Sequence, residues 1–248
     1  MKYHILASGS KGNACLIQSQ GINLLIDCGM TQKYLKAGFI DLGVDYFEFD
    51  ALLITHDHSD HTKQLRMFRH LPIYSPSEIA YEYELVVPYE SFEIHHLKIT
   101  PLKTSHDAEY SVGYVIEDGV TKLIYMTDTG YIRESDYEYL KGADHYILES
   151  NHDPELLMQT NRPYYLKQRI LSDTGHLSND KAGRVLAQVI AKNTKSITLA
   201  HMSLEANTEA VVLDTIVKHL EHIDHQDIVI QVAKQFEIVS GGNVNEIK

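Results

Sequence analysis

Tryptophan is absent from the 248 residues, proline occurs six times, and cysteine only twice, at Cys15 and Cys28. Two cysteines cannot build the disulfide framework of a small secreted domain, and they fit a reducing cytoplasm. No stretch approaches the roughly 18 consecutive apolar residues of a transmembrane helix, so no membrane partner is expected. The opening Met1–Gly9 has too short an apolar run for a signal peptide. Positive charge is also scarce: 22 Lys and Arg stand against 34 Asp and Glu, a net charge of −12. That balance argues against broad electrostatic adhesion to nucleic acid, which needs cations at phosphates. It leaves room for a phosphodiester substrate, because bound divalent ions and a local basic patch outweigh distant acid. Internal repeats, low-complexity tracts and linkers are missing too, and 44% apolar content supplies a sizeable core. A single domain over 1–248 is expected.

What the chain has in excess is histidine, 15 in all, and four candidate ligands, His56, His58, Asp60 and His61, crowd into Thr55-His56-Asp57-His58-Ser59-Asp60-His61. The apolar run Ala51–Thr55 before them reads as a buried strand, and Thr62–His70 after them has helical spacing. The motif therefore falls on a tight strand-to-helix turn. His56 and His58, two apart on extended backbone, point the same way and can share an ion. Asp60 and His61, further round the turn, can reach a second. Imidazole nitrogen and carboxylate oxygen are donors that Zn, Mn and Fe accept. Three more such residues stand at the mouths of apolar strands: His106 in Thr104–Ala108, Asp128 after Leu123–Thr127, and His201 after Ile197–Ala200. Such positions commonly carry active-site groups.

The rest of the chain supports a layered α/β reading. Strands are predicted at Lys2–Ala7, Ala14–Gln18, Ile22–Asp27, Phe92–Ile94, Leu97–Leu102, Ser111–Glu117, Lys122–Thr127, Ala143–Glu149, Ser196–Ala200, Ile228–Val232 and Phe236–Val239. Helices are predicted at Thr31–Ala37, Pro76–Glu84, Ile132–Leu140, Asp153–Gln159, Pro163–Leu171, Ser178–Lys192 (with Ser178 as N-cap) and Asn207–Leu220. Strands dominate the first half and alternate with helices in the second, which implies two sheets with helices outside. The glycine-rich Ser8-Gly9-Ser10-Lys11-Gly12-Asn13 does not match a nucleotide phosphate loop, since GxxxxGK[ST] is absent and a strand follows. Cys28 reads as a small buried filler.

The HxHxDH pattern at 56–61, with His106, Asp128 and His201 following in order, resembles the metallo-β-lactamase fold family over essentially the whole chain. That resemblance implies an αβ/βα four-layer sandwich with a two-metal site along one edge. It implies His56, His58 and His106 on one ion, Asp60, His61 and His201 on the other, and Asp128 bridging. The ions would be Zn or Mn, with Fe as a further option. Four longer stretches occur together: Ser8–Asn13; His106-Asp107-Ala108 with Val112-Gly113-Tyr114; Glu149-Ser150-Asn151-His152-Asp153; and Leu166–Ile170 running on to Gly175–Asn179. Jointly they resemble the YycJ subfamily, also called WalJ or VicX. Membership implies a bacterial cytoplasmic exonuclease that digests duplex DNA 5′ to 3′. One departure is Arg162 before Pro163, where an aromatic residue is expected.

Two divalent ions acidify water and offset charge on a phosphoryl oxygen, and a leaving alkoxide then needs a proton. His176, on a turn after Gly175, is the expected donor; His152 is a second catalytic expectation, beside Asp60. Asp57 is expected to orient water or a ligand histidine. Leu156–Ser172 contains Arg162, Lys167 and Arg169 and no acid, with Tyr164 and Tyr165 able to stack on bases, so it reads as a phosphate-facing flap. Lys167, Arg169, Asn151 and Ser178 are the expected substrate contacts. His95, His96, His145, His219, His222 and His225 read as surface or satisfied residues. Alternatives remain open: a lactonase, thioesterase or cyclic-phosphate diesterase, a transfer-RNA processing endonuclease, or a non-catalytic metal-sensing regulator. A redox di-iron role is disfavoured by histidine at both His56 and His58.

Overall fold

The computed structural model describes residues 1–223 and 227–242, and His225 lies outside them. In chain order the elements are β1 (Lys2–Ala7), β2 (Ala14–Ser19), β3 (Ile22–Ile26), α1 (Gln32–Asp41), β4 (Ala51–Leu53), α2 (Ser59–Thr62), α3 (Leu65–Phe68), β5 (Ile73–Ser75) and β6 (Glu84–Leu85). There follow β7 (Phe92–Ile94), β8 (Leu97–Lys103), β9 (Val112–Glu117), β10 (Lys122–Met126), α4 (Tyr137–Leu140), β11 (His145–Glu149), α5 (Pro154–Gln159) and α6 (Tyr164–Leu171). Last come α7 (Asn179–Val189), β12 (Ser196–Ala200), α8 (Glu209–Leu220), β13 (Val229–Val232) and β14 (Val239–Gly242).

The strands form two seven-stranded sheets, ordered β14-β1-β2-β3-β4-β5-β6 and β13-β12-β11-β10-β9-β8-β7. Alternation along each strand sends successive side chains to opposite faces. In β3, Leu24 and Ile26 face the second sheet, where Ile99, Tyr114, Ile116, Leu123 and Ile147 meet them in a shared core. Leu25, between them, faces outward with Leu6, Leu16 and Leu52 onto Leu35 and Phe39 of α1 and Phe68 of α3. The second sheet repeats the arrangement: Ile124, Tyr146, Leu148 and Leu199 pack under Val185 and Leu186 of α7 and Val212 and Ile216 of α8. Both faces of each sheet are covered, which is why these strands read as continuous apolar runs. The result is the αβ/βα four-layer sandwich.

Strand direction decides where the chemistry gathers. β3 runs parallel to β4, and β10, β11 and β12 are mutually parallel. β1 and β8 are each two antiparallel steps from β3 and β10, so they point the same way as those strands. Seven strands therefore finish along one edge of the sandwich, where the last residue of β11, Glu149, and the loops after the others carry Lys11, Asp27, His56, His106, Asp128 and His201.

Several local expectations fail. The helix predicted over Pro76–Glu84 does not form; Ile79, Tyr81 and Tyr83 pack against the outer core and the segment ends in β6, paired with β5. Thr62–His70 breaks into α2 and α3 with a non-helical Gln64 between them (φ −112°, ψ 23°). Only the last turn of Ile132–Leu140 is α-helical. β14 begins three residues later than the strand expected at Phe236. Ser178 does cap α7, its hydroxyl accepting from Lys181 N at 3.3 Å.

At the edge opposite the clustered loops, His145 is buried. Its Nδ1 lies 2.9 Å from Ser196 Oγ, which also meets the Tyr3 hydroxyl at 3.0 Å. Its Nε2 has no partner. It is thus a buried residue, with one nitrogen unsatisfied. Burial lowers it from the ordinary 6.5 to about 4. The unfolded chain therefore takes up this proton first, and the stability His145 contributes above pH 6.5 drains away between pH 6.5 and about 4. A His145→Leu variant, which retains the Ser196–Tyr3 bond, is expected to show a flatter Tm-versus-pH curve across that window in calorimetry.

Candidate metal centre

The chain leaves β4, passes Thr55 and His56, and enters the single turn of α2. His58 O accepts from His61 N at 2.9 Å and from Thr62 N at 3.1 Å, which sets the reversal. Gly29 backs onto this turn so closely that a Cβ would lie 1.5 Å from Asp60 O, so no other residue fits there. The imidazole of His56 ends at ring-centroid distances of 4.6 Å from His58, 4.0 Å from His61 and 5.0 Å from His106.

All seven donors named from the sequence meet in this patch. Donor atoms of His56, His58 and His106 lie within 4.8 Å of one another, as do those of Asp60, His61 and His201, and those of His56, His61 and Asp128. Asp128 is central: Oδ2 lies 3.4 Å from His61 Nε2, and Oδ1 lies 3.4 Å from His201 Nε2 and 3.9 Å from His106 Nε2. His56 Nε2, Asp128 Oδ2 and His201 Nε2 are buried without a hydrogen-bond partner. Each such atom costs about 1–3 kcal/mol when left unsatisfied, and a divalent cation satisfies nitrogen and carboxylate donors together. The residues therefore fit a metal.

Two carboxylates that the sequence reading passed over hold the imidazoles in place. Asp27, at the end of β3, receives His61 Nδ1 on Oδ2 at 2.8 Å. It also accepts from Thr55 N and Thr55 Oγ1, both at 2.9 Å. Glu149, at the end of β11, is fully buried. Its Oε1 lies 2.7 Å from His176 Nδ1 and 3.3 Å from His201 Nδ1, and Oε2 accepts from Thr129 N at 2.7 Å. A carboxylate on one imidazole nitrogen orients the other and raises its basicity. The orienting role expected of Asp57 is filled by Asp27; Asp57 itself is exposed. Asp27, Asp128 and His201 all take left-handed backbone, with φ of 59°, 55° and 54°. That conformation is unfavourable outside glycine and concentrates where the surroundings enforce a functional geometry.

Titration follows from this packing. Burial works against a charged His61, but Asp27, Asp128 and Asp60 outweigh it and raise the imidazole to about 9. His201 is likewise raised to about 9 by Asp128 and Glu149 against its burial. Asp128 is desolvated, yet His201, His61 and His56 hold it well below the usual carboxylate range. Burial lowers His56 and His106.

A cleft of about 340 Å³ opens beside this patch, and its lining includes His106, His176, His201 and Asn151 together with Lys11, Arg162 and Arg169. A family model described as "Beta-lactamase superfamily domain" matches residues 22–202. The chain is 33% identical over 236 residues to exodeoxyribonuclease YycJ of Bacillus anthracis, covering 89% of each. It is 31% identical over 240 residues to exodeoxyribonuclease WalJ of Streptococcus pneumoniae, covering 90% of this chain and 89% of that one. The chain belongs to the YycJ/WalJ family of the β-lactamase superfamily. Solved structures agree on the fold: the Bacillus subtilis metallo-β-lactamase fold protein YhfI superposes with a TM-score of 0.74 at 19% identity, over 97% of this chain and 99% of that one. Human tRNase Z, short form, does so at 0.65 and 16% identity, over 96% and 98%.

Within this YycJ/WalJ-family site the remaining expectations divide. His176, Asn151 and Arg169 line the cleft. Asn151 Nδ2 donates to His201 O at 2.7 Å, so it also fixes the loop that carries that histidine. Lys167 is turned away from the cleft: it is buried, and its ammonium donates to Met158 O at 2.7 Å, tying α6 to α5. Ser178 is occupied as the α7 cap. His152 is 1% exposed, outside the cleft lining, and has both ring nitrogens unpartnered; burial lowers it to about 4. It is not placed to exchange a proton with a substrate. Cys15 and Cys28 are buried, and burial raises both thiols, so neither is a nucleophile.

Asp27→Asn keeps the shape and the tolerance of positive φ but removes the charge behind His61. It is expected to weaken Zn affinity by about 10- to 100-fold, read by competition with a chromophoric chelator, with the circular dichroism spectrum unchanged. Ions must displace protons from His61 and His201, both near 9, so metal affinity should rise with pH up to about that value. Calorimetry in buffers of different ionisation enthalpy would register the proton release.

Proposed function

We infer that the protein is a metal-dependent exodeoxyribonuclease, and we propose that it digests duplex DNA from the 5′ end in the cytoplasm, acting as one domain. The observation that carries this reading is the union of a His/Asp cluster with a cleft whose lining also holds Lys11, Arg162 and Arg169, in a chain of net charge −12. The relatives' names, exodeoxyribonuclease YycJ and WalJ, supply the substrate class. The shared core between the two sheets supports the one-domain reading.

We assign His56, His58 and His106 to one ion, Asp60, His61 and His201 to a second, and Asp128 to both, with Zn or Mn as the metals. Such a pair supplies Lewis acidity to a phosphoryl oxygen and to the attacking water. The chain does the rest. Asp27 and Glu149 hold His61 and His201 in the tautomer that leaves Nε2 toward the cluster. Glu149 also receives Nδ1 of His176, leaving Nε2 of this partly exposed ring free for substrate. We assign His176, in the imidazolium form that carries a proton on both nitrogens, to protonate the departing 3′ oxygen from Nε2 and return to the neutral ring, a role in general acid catalysis. Arg169, on α6 at the cleft, pairs with Asp107 of the loop that carries His106. An exposed pair of this kind has little net worth, so its guanidinium can pass to a phosphate, which it grips bidentately. Tyr164 and Tyr165, 67% and 75% exposed on the same helix, are available to stack on an unpaired base.

A panel of 5′-phosphorylated and unphosphorylated duplexes, single strands, RNA and an ester, each with Mn and Zn, tests the assignment. Stepwise shortening of duplex DNA is expected, and ester turnover without it would overturn the reading. His58→Ala should abolish turnover while leaving the fold intact. His176→Ala should lower kcat by about 10²- to 10⁴-fold with metal content unchanged by elemental analysis. Arg169→Ala should raise KM for DNA and barely alter hydrolysis of bis(p-nitrophenyl) phosphate.

A further inference from the structure

The loop Ser8–Asn13 joins β1 to β2 and has no part in the reaction described above, yet Ser10 and Lys11 form part of the cleft wall. It is a rigid mount. Buried Asn13 accepts from Gly9 N on Oδ1 at 2.8 Å, and its Nδ2 reaches Gly9 O at 3.2 Å and His61 Nε2 at 2.9 Å. Asn13 N donates to Asp60 O at 2.8 Å. At the other end Ser8 Oγ accepts from His201 N at 2.7 Å. Gln235, buried between β13 and β14, clamps the middle: Oε1 accepts from Lys11 N at 3.0 Å and Nε2 donates to Gly12 O at 3.2 Å. Gly9 and Gly12 have φ of 137° and 151°, and a Cβ at either would stand 2.7 Å from Gln235 Oε1 or the Met30 sulfur. Every one of these bonds registers the loop against His61, Asp60 or His201, or seals it from behind.

What the mount presents is Lys11. Arg162 pairs with Glu205 at 2.9 Å and Arg169 pairs with Asp107. Lys11 alone among the cleft cations has no side-chain hydrogen bond or ion pair among the described residues. The same lining holds the hydroxyls of Ser10 and Ser203, and Glu205, which pairs with Arg162 and acts on Lys11 only at longer range. At about 340 Å³ the cleft sits at the small end of ligand sites. A terminal phosphomonoester carries close to two charges and three acceptor oxygens, against one charge for an internal diester. It is the stronger ligand for an ammonium that has no ion pair of its own.

Resting on the exonuclease reading, we propose that Lys11, held by the Ser8–Asn13 loop, binds the 5′-terminal phosphate of the strand being degraded while the next phosphate lies at the metal cluster.

The test is binding of the metal-loaded protein to phosphorothioate duplexes that resist cleavage, with 5′-phosphate, 5′-hydroxyl or 3′-phosphate ends, followed by fluorescence anisotropy. The 5′-phosphate is expected to tighten binding of the wild type about tenfold over the 5′-hydroxyl. That ratio should fall to about one in Lys11→Ala and recover in Lys11→Arg. A ratio of one in the wild type, a ratio that survives Lys11→Ala, or an increment confined to the 3′-phosphate overturns the proposal. Digestion separates the two ideas: equal rates on both 5′ ends remove the subsite and leave the nuclease standing. Failure to shorten any duplex removes the nuclease reading, and the subsite with it.

Discussion

A buried nitrogen or oxygen that has lost its water must find a partner, and the edge of this sandwich assembles several that have none inside the protein. His56 Nε2, Asp128 Oδ2 and His201 Nε2 point at one another across a space that no side chain fills with a hydrogen bond. In a metal-free protein this is a standing cost, supported by the two-sheet core behind it. A cation turns the same atoms into ligands, so loading and stability are one equilibrium. The rest of the architecture serves that arrangement. Strands of both sheets end at the same edge, left-handed backbone at Asp27, Asp128 and His201 turns their side chains inward, and Gly29 lets the 56–61 turn sit against its neighbour.

Electrostatics then separate the site from the body. The chain as a whole repels DNA, with 34 acidic residues against 22 basic. The cleft offsets this locally by bringing Lys11 of the Ser8–Asn13 loop together with Arg162 and Arg169 of the Leu156–Ser172 segment. Asp107 and Glu205 occupy two of these cations from the loops that carry His106 and His201. A polyanion competes with those carboxylates, whereas a small neutral ester has little to offer the arginines. On the proposed function, the lining cations therefore favour a nucleic acid strand over a small neutral ester.

Polar residues at the mouths of apolar strands were the productive signal for the site. That rule found Asp128 after β10 and His201 after β12. Applied evenly, it would also have found Asp27 after β3 and Glu149 after β11, which stand in the same position and proved to orient His61, His176 and His201. It was the weaker compositional argument that misled. Lys167 shares its segment with Arg162 and Arg169, but one helix has two faces, and the periodicity placed Lys167 on the inner one, where its ammonium holds Met158 O. His152 and Ser178 are adjacent to site residues in sequence and turned from the cleft in space, one into the interior and the other onto the end of α7. The helix expected at Pro76–Glu84 gives way to an irregular segment that packs Ile79, Tyr81 and Tyr83, alternate residues as on extended chain, against the outer core.

By itself the sequence determined the layered α/β class, the donor set from His56 to His201, and the kind of chemistry those donors support. These depend on residue type, strand-length apolar runs and spacings of a few residues, all of which are local. Which carboxylate orients which imidazole, which cation of a basic segment faces the substrate, and why Ser8–Asn13 is rigid were decided only by the tertiary structure. Those outcomes depend on contacts between residues as far apart as Ser8 and His201 or Gly12 and Gln235. Such contacts exist only once two sheets have packed face to face and brought their strand ends to a common edge.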